Sequence, residues 1–410
     1  MNILMITQWF NPEPNDMKSL VFAKKLQESG NNVEVITGFP NYPTGVIYEG
    51  YKLQRYFYEE MDGIPVHRVY LYPSHNKNKW KRMLNYFSFG FSVASFNLKK
   101  LKNKFDVVYV YHPPLTSASA ALRIAKRGKT KLLLDINDLW PESINATGMM
   151  SDGFLTRLID KWCLRVYKKA DRINVLSDGI KNVLIKKSVS AQKISTIPVW
   201  CNEELLTEKR DETFYSENNC EGKFTLIYAG AIGNAQNLSV FVDVACNLKS
   251  YEDIQIILIG TGTQANEISD RIKEKNLKNI KILGNVPPNR VVPILNCADA
   301  LIIHLAKNDL FNITVPSKIP LYMAAKKPVI AGLEGDAERI IREARCGYIC
   351  EPENIESLSN AIIKAYLSDR SELISMAENG YRYYLDNHSI DSCVREFNCL
   401  LTDLAKKENV

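Results

Sequence analysis

Twelve short runs rich in β-branched and aromatic residues recur along this chain, and the strongest, "DVVYV", "IQIILIG" and "ALIIHL", are apolar almost throughout. A strand with one face in water alternates apolar and polar residues, whereas a strand covered on both faces does not. The longer amphipathic stretches between the runs can supply that cover as helices. This alternation predicts a doubly wound α/β architecture with parallel sheets. In the first half the runs are Ile3–Thr7, Val33–Thr37, Val66–Tyr70, Val107–Tyr111, Lys131–Ile136, Arg172–Leu176 and Ile194–Pro198. In the second half they are Phe224–Ala229, Ile254–Ile259, Ile280–Leu283, Ala300–His304 and Pro328–Ala331.

A length of 410 residues exceeds what one core usually fills. The pattern breaks once, where "CNEELLTEKRDETFYSENNCEGK" is polar and charge-rich. This predicts two Rossmann-like halves, residues 1–205 and 224–385, joined by a linker over 206–223. A C-terminal helical segment, 386–410, is expected to pack back on the first half. In open α/β sheets ligands lie beyond the carboxyl ends of the strands, so two such halves would face a central cleft.

A net charge of +6 suits anionic small molecules or an anionic membrane and falls short of a nucleic-acid-binding excess. The nine cysteines show no metal-site spacing and are expected to be reduced thiols. The start "MNILMITQWF" enters a strand pattern at once, and no apolar run reaches the ~20 residues of a membrane span. A cytoplasmic location is therefore expected. Residues 77–104 carry eight Lys or Arg, no acid, and Trp80, Tyr86, Phe87, Phe89, Phe91 and Phe96 between the basic ends. An interfacial helix on an anionic membrane and a core-facing helix with solvated ends fit this composition equally.

Three strands of the second half end in glycine loops: "GAIGNAQNL" from Gly230, "GTGTQ" from Gly260 and "GNVPP" from Gly284. Each alone is ordinary punctuation, but three in succession, followed by Pro316-Ser317-Lys318, point to a nucleotide diphosphate. With Ser317 as N-cap, Pro320 falls in the first helical turn and the Lys318 ammonium would meet the departing phosphate. A capped helix with a solvated lysine is the plain alternative. The chain contains no Asp-x-Asp motif, so no metal ligands or cofactor are expected.

In the first half, "TQWFNPEPNDMKSL" offers Gln8, Glu13, Asn15 and Asp16 in a stiff loop. Glu13 could bind a sugar hydroxyl or favour the next helix. "YHPPLTS" places His112 at a strand end, and "DINDLWPES" offers Asn137, Asp138 and Glu142 beside Trp140, a composition that fits a saccharide surface or simple packing.

Together, "TGFPNYPTG" (37–45), "DINDLWPES" (135–143), "YAGAIGNAQNL" (228–238), "VPSKIPLYMAAKKPVI" (315–330) and "CGYICEPEN" (346–354) resemble family 4 glycosyltransferases, nearer to the WbuB-type L-fucosamine transferases of O-antigen synthesis. The resemblance implies the two-domain GT-B fold and metal-independent transfer of an N-acetylamino-sugar from a UDP donor to a lipid-linked saccharide such as an undecaprenyl-diphosphate glycan. It implies donor contacts at Gly233, Asn234, Gln236, Gly262, Asn285, Ser317 and Lys318, and acceptor or sugar contacts on the loops of Gln8, Glu13, Asn15, His112, Asn137, Asp138 and Glu142. It also implies retention at the anomeric carbon; inversion would require a base, with Asp138 first and Glu13 and His112 behind it. The sequence departs from the family where a Glu-x7-Glu pair would stand, with Ile313 and Leu321 in those places, and where Arg and Lys often follow the first glycine loop. A UDP-sugar 2-epimerase of similar fold and a catalytically silent binding subunit stay open as other readings.

Overall fold

The computed structural model describes residues 1–14, 18–74, 79–143 and 153–406. It divides into two compact units, one formed by Met1–Pro198 with Ile390–Val410, the other by Val199–Ser389.

The first unit is built on eight strands: β1 (Asn2–Ile6), β2 (Asn32–Gly38), β3 (Tyr56–Met61), β4 (Ile64–Val69), β5 (Val107–His112), β6 (Lys131–Ile136), β7 (Arg172–Val175) and β8 (Ile194–Thr196). Their order is β3-β4-β2-β1-β5-β6-β7-β8. All neighbours run parallel except β3 and β4. The sequence reading missed that β3–β4 hairpin, although its Asp62-Gly63 turn has positive φ at both residues, which is what a two-residue hairpin turn requires. The chain lays β2 and β4 on one side of β1 and then crosses to β5 on the other. The reversal between β1 and β5 opens a crevice at their carboxyl ends.

Four helices of this unit matter below: α1 (Leu20–Glu28), α2 (Lys79–Ala94), α3 (Leu115–Gly128) and α4 (Phe154–Lys169). Gly90 lets α2 lie directly on α3, since a Cβ there would come within 2.8 Å of Thr116 Cβ. Thr116 Oγ1 in turn donates to the Tyr86 carbonyl at 2.8 Å. The C-terminal helix Ile390–Lys406 packs in this unit, where Phe397 meets Phe22 of α1 and Tyr109 of β5 at ring separations of 5.2 and 6.1 Å.

The second unit has six parallel strands, β9 (Phe224–Ala229), β10 (Ile254–Ile259), β11 (Ile280–Leu283), β12 (Ala300–His304), β13 (Val329–Gly332) and β14 (Gly347–Cys350), in the order β11-β10-β9-β12-β13-β14. Successive residues feed opposite layers: Ile227, Ile257, Ile259, Leu301 and Ile303 pack in one buried cluster, and Leu226, Tyr228, Ile256, Leu258 and Ile302 in the other. Each fully buried side chain of this kind contributes about 1.5–3 kcal/mol, which accounts for the apolar runs. Here the topological reversal falls between β9 and β12. The stretch expected as a linker is part of this unit. Asp211 caps the helix Glu212–Glu217 by accepting from Phe214 N at 2.9 Å, and Phe214 and Cys220 are buried. Two adjacent aromatic residues in a six-residue helix give no readable period, which is why the sequence looked featureless.

Candidate functional site

In the second unit the loops after β9 and β10 interlock. Ile232 N donates to Thr261 O at 2.9 Å and Gln264 N to Ile232 O at 3.1 Å. A Cβ on Gly260 would lie 1.9 Å from Gly230 O, and one on Gly262 would lie 2.2 Å from Ile232 O. Gly262, expected to admit a donor, is thus required by the protein's own backbone. Gly233 differs: a Cβ there would meet only Gln236 and Thr263 at ordinary distances.

His304, buried at the end of β12, buttresses this loop. Its Nδ1 meets Gln236 O at 2.6 Å, and its Nε2 accepts from Glu353 N at 3.0 Å. These partners fix a neutral ring protonated on Nδ1, and burial lowers its pKa. Glu353 also accepts from Asn237 Nδ2 at 2.5 Å, tying the loop after β14 to the glycine loop. The sequence analysis missed both residues. Gln236 is occupied within its own loop, accepting from Gly233 N at 3.3 Å, while Asn234 stands exposed. Asn285 is exposed and accepts from Thr261 Oγ1 at 3.3 Å.

Ser317 precedes the helix Lys318–Ala324, but its hydroxyl makes no cap and its backbone is already helical (φ −60°, ψ −13°). The expected capping role is therefore corrected. Leu321 packs against the core cluster. Lys318 neither pairs with a carboxylate among the described residues nor stands in solvent. Its stem crosses Gly230, where a Cβ would lie 2.6 Å from Lys318 Cε, and its ammonium sits 4.8 Å from the centre of the Tyr228 ring. Burial without a counter-ion pulls its pKa down to about 8. A half-buried ammonium at the end of β9, beside the topological reversal, is suited to an anion.

In the first unit the residues singled out from the sequence separate into buttresses and candidates. Glu13 is buried and accepts from Phe10 N, Asn41 N and Tyr42 N at 3.1, 2.7 and 2.8 Å. Burial raises its pKa to about 7 while the three N–H donors pull the other way. Its oxygens hold two loops together, a structural role beside the sugar-binding and base roles expected of it. Glu142, expected at the acceptor, pairs through Oε1 with Lys187 at 2.5 Å, which also meets Asp160 at 2.6 Å. Asn137 N donates to His112 O at 2.9 Å. Asn15 and Asp16 lie outside the described residues.

His112 is buried, with Nε2 3.1 Å from the Tyr167 hydroxyl and no hydrogen-bond partner on Nδ1. Burial pulls its pKa down to about 4. Gln8 is buried too, with Nε2 bonded to Asn85 Oδ1 and no partner on Oε1. These two groups end the adjacent strands β5 and β1, at the crevice. Asp138 is exposed nearby, and desolvation by the protein around it raises its pKa. Asp135, whose role sequence reasoning missed, is buried in an ion pair with Lys18 at 2.7 Å and accepts from Tyr109 and Asn174 at 2.5 and 2.8 Å. Among the described residues no group of three His, Cys, Asp or Glu side chains is arranged to hold a metal.

The family model described as glycosyl transferases group 1 matches residues 209–383, and that of the glycosyl transferase 4-like domain matches 20–200. The chain is 26% identical to the probable glycosyltransferase WbjE of Pseudomonas aeruginosa over 65% of this chain and 68% of that one. Its fold matches sucrose-phosphate synthase of Thermosynechococcus elongatus (TM-score 0.70, 15% identity, 98% of both chains). It also matches Anabaena HepE solved with UDP-glucose (TM-score 0.68, 14% identity, 98% of this chain and 100% of that one).

Proposed function

We propose, from the premise that the chain is a family 4 glycosyltransferase of the GT-B fold, that it moves an N-acetylamino-sugar such as N-acetyl-L-fucosamine from UDP to a lipid-linked saccharide. Undecaprenyl-diphosphate glycan is the acceptor class and bacterial surface polysaccharide the product. The second unit takes the UDP-sugar and the first takes the acceptor. The observation that carries the donor assignment is Lys318, an ammonium held beside Gly230 with no carboxylate partner among the described residues. HepE, of the same fold, binds UDP-glucose, and WbjE is a probable glycosyltransferase.

In the reaction the acceptor oxygen bonds to the anomeric carbon while the bond from that carbon to the phosphate oxygen breaks, its electron pair leaving with UDP. Lys318 offsets the charge that develops on the diphosphate. With retention the hydroxyl proton passes to the departing phosphate; with inversion Asp138 takes it.

The membrane part of the reading rests on the outer faces of α2 and α4. Trp80, Leu84, Phe87 and Phe91 are exposed on α2, and Phe154, Leu155 and Leu158 on α4. Phe87 stacks on Trp162 of α4 at 5.9 Å, which joins the two faces. The two helices hold eight Lys or Arg against Asp160 alone, so the rest of the chain is within one charge of neutrality. Aromatic residues set among basic ones suit an anionic bilayer surface. The later basic cluster expected to join them turns elsewhere: Lys102 pairs with Glu60 at 3.1 Å and Lys100 lies over Tyr56. No described helix is long and apolar enough to cross a membrane.

A mass-spectrometric screen of UDP-sugars, including UDP-N-acetyl-L-fucosamine, against a lipid-diphosphate-linked acceptor tests the reading. A glycosylated acceptor supports it. A new UDP-sugar formed without acceptor would establish the epimerase instead, and UDP binding with no turnover across the panel would establish a silent subunit.

A further inference from the structure

Four aromatic rings, delivered by four separate segments, meet at the crevice of the first unit. Trp9 follows β1, Tyr42 follows β2, Tyr86 projects from α2 and Trp140 follows β6. Successive ring centres are 5.9 Å apart for Tyr42 and Trp9, 6.2 Å for Trp9 and Tyr86, and 6.4 Å for Tyr86 and Trp140. The interplanar angles are 58°, 86° and 55°, so no ring lies flat on its neighbour. All four are half-buried. Tyr109 and Phe22, by contrast, are fully enclosed in the core.

The polar groups beside the rings point the same way. Gln8 precedes Trp9, Asn85 precedes Tyr86, and the Gln8–Asn85 hydrogen bond ties the two segments. Asn85 Nδ2 donates to Tyr72 O at 2.8 Å, fixing its orientation. Gln8 Oε1 is left buried without a partner, and an orphaned buried acceptor costs about 1–3 kcal/mol unless something satisfies it. Burial raises the Tyr86 and Tyr111 phenols, and the Asp138 charge adds to both rises, which puts Asp138 at the same mouth.

A pyranose has an apolar C–H face and a hydroxyl rim, the chemistry that half-buried rings around a buried amide would recognise. Three successive separations of about 6 Å give four distinct rings, each able to meet a different sugar face. We propose that Trp9, Tyr42, Tyr86 and Trp140 form a stacking subsite for two or more sugar residues of the acceptor saccharide, with Gln8 Oε1 accepting from one of its hydroxyls. The inference rests on the glycosyltransferase reading and adds the acceptor residues to it. Because α2 carries Tyr86 inward and Trp80, Leu84 and Phe91 outward, one helix serves both the saccharide and the lipid surface.

The test uses the full chain, a panel of methyl glycosides of N-acetylamino-sugars and their disaccharides, and saturation-transfer NMR, with UDP titration as a separate arm. Disaccharide glycosides are expected to bind tighter than monosaccharides. Tyr86→Leu and Trp9→Ala should weaken them at least tenfold, Tyr86→Phe should retain binding, and UDP affinity should stay within twofold throughout. The Tyr86→Leu and Tyr86→Phe pair decides the matter if Trp9→Ala does not fold. Glycoside binding that is absent in the wild type, or equal in Tyr86→Leu and Tyr86→Phe, overturns the subsite. Failure of UDP to bind would count against the donor reading alone.

Discussion

The Lys318 ammonium rests 4.8 Å above the Tyr228 ring instead of on a carboxylate. A cation–π contact of this kind supplies about 0.5–2 kcal/mol, less than a buried charge requires, and the pKa falls to about 8 accordingly. Lys318→Ala should lower turnover at saturating donor at least tenfold, about 1.4 kcal/mol. The free site carries its charge below about pH 8 and loses it above, so donor kcat/KM should decline on the alkaline side of that value. Lys318→Arg keeps its charge and should flatten the decline; an identical alkaline limb in both proteins would remove Lys318 from the donor site.

His112 makes stability sensitive to acid. Its folded pKa of about 4 lies below the ordinary 6.5, so between these values the unfolded chain binds the extra proton. Stability is therefore retained above pH 6.5 and lost as pH falls toward 4, by about 3 kcal/mol. His304 and His388 are shifted the same way and add to the slope. Urea midpoints measured from pH 7 to 4 should fall less steeply in His112→Gln than in the wild type.

The buried pair of Lys18 and Asp135 predicts asymmetric mutational costs. Asp135→Asn removes the carboxylate paired with an ammonium whose side chain is 1% exposed and should cost about 3–5 kcal/mol. Adding Lys18→Met removes the buried charge as well and leaves an amide oxygen for Tyr109 and Asn174. The double variant should recover most of the loss in denaturant unfolding.

Glu13→Gln replaces one of two oxygens that accept three backbone N–H groups. A loss of about 1–3 kcal/mol in unfolding free energy is expected, with UDP affinity unchanged because the loops proposed to hold the nucleotide belong to the second unit. A large loss of UDP affinity at unchanged stability would restore a ligand role to Glu13.

The outer face of α2 can be tested without touching its inner one. The pair Trp80→Glu and Phe91→Glu changes side chains that are 77% and 76% exposed. It should abolish co-flotation with vesicles containing anionic lipid at low salt, with thermal stability preserved. Wild-type protein that stays in the soluble fraction would sink the membrane assignment.

Strands covered on both faces were readable because burial forces an uninterrupted apolar run. The two missed strands lack that property. β3, "YFYEEM", is an edge strand with no fully buried residue, and its Glu59 pairs with Arg68 of β4. β14 has four residues and begins at Gly347. Site chemistry was less readable because partners lie far apart in sequence. Lys18 and Asp135 are separated by 117 positions, and Glu13 finds two of its three donors in the loop after β2. A glutamate in a proline-rich loop looks the same whether it awaits a sugar or ties down two turns. Gly262 could not be told from Gly233 until the opposing backbone was in place.

Phe397, which covers Lys18 and Tyr109, is made some 200 residues after β8. At 5–20 residues per second that interval is on the order of 10–40 s. The first unit therefore waits through the synthesis of the second, its helix α1 and the Lys18–Asp135 pair uncovered by Phe397. Released chains truncated at Ser389 should accordingly show a first unit that limited proteolysis cleaves faster than it does in the full chain, beside a second unit of unchanged resistance.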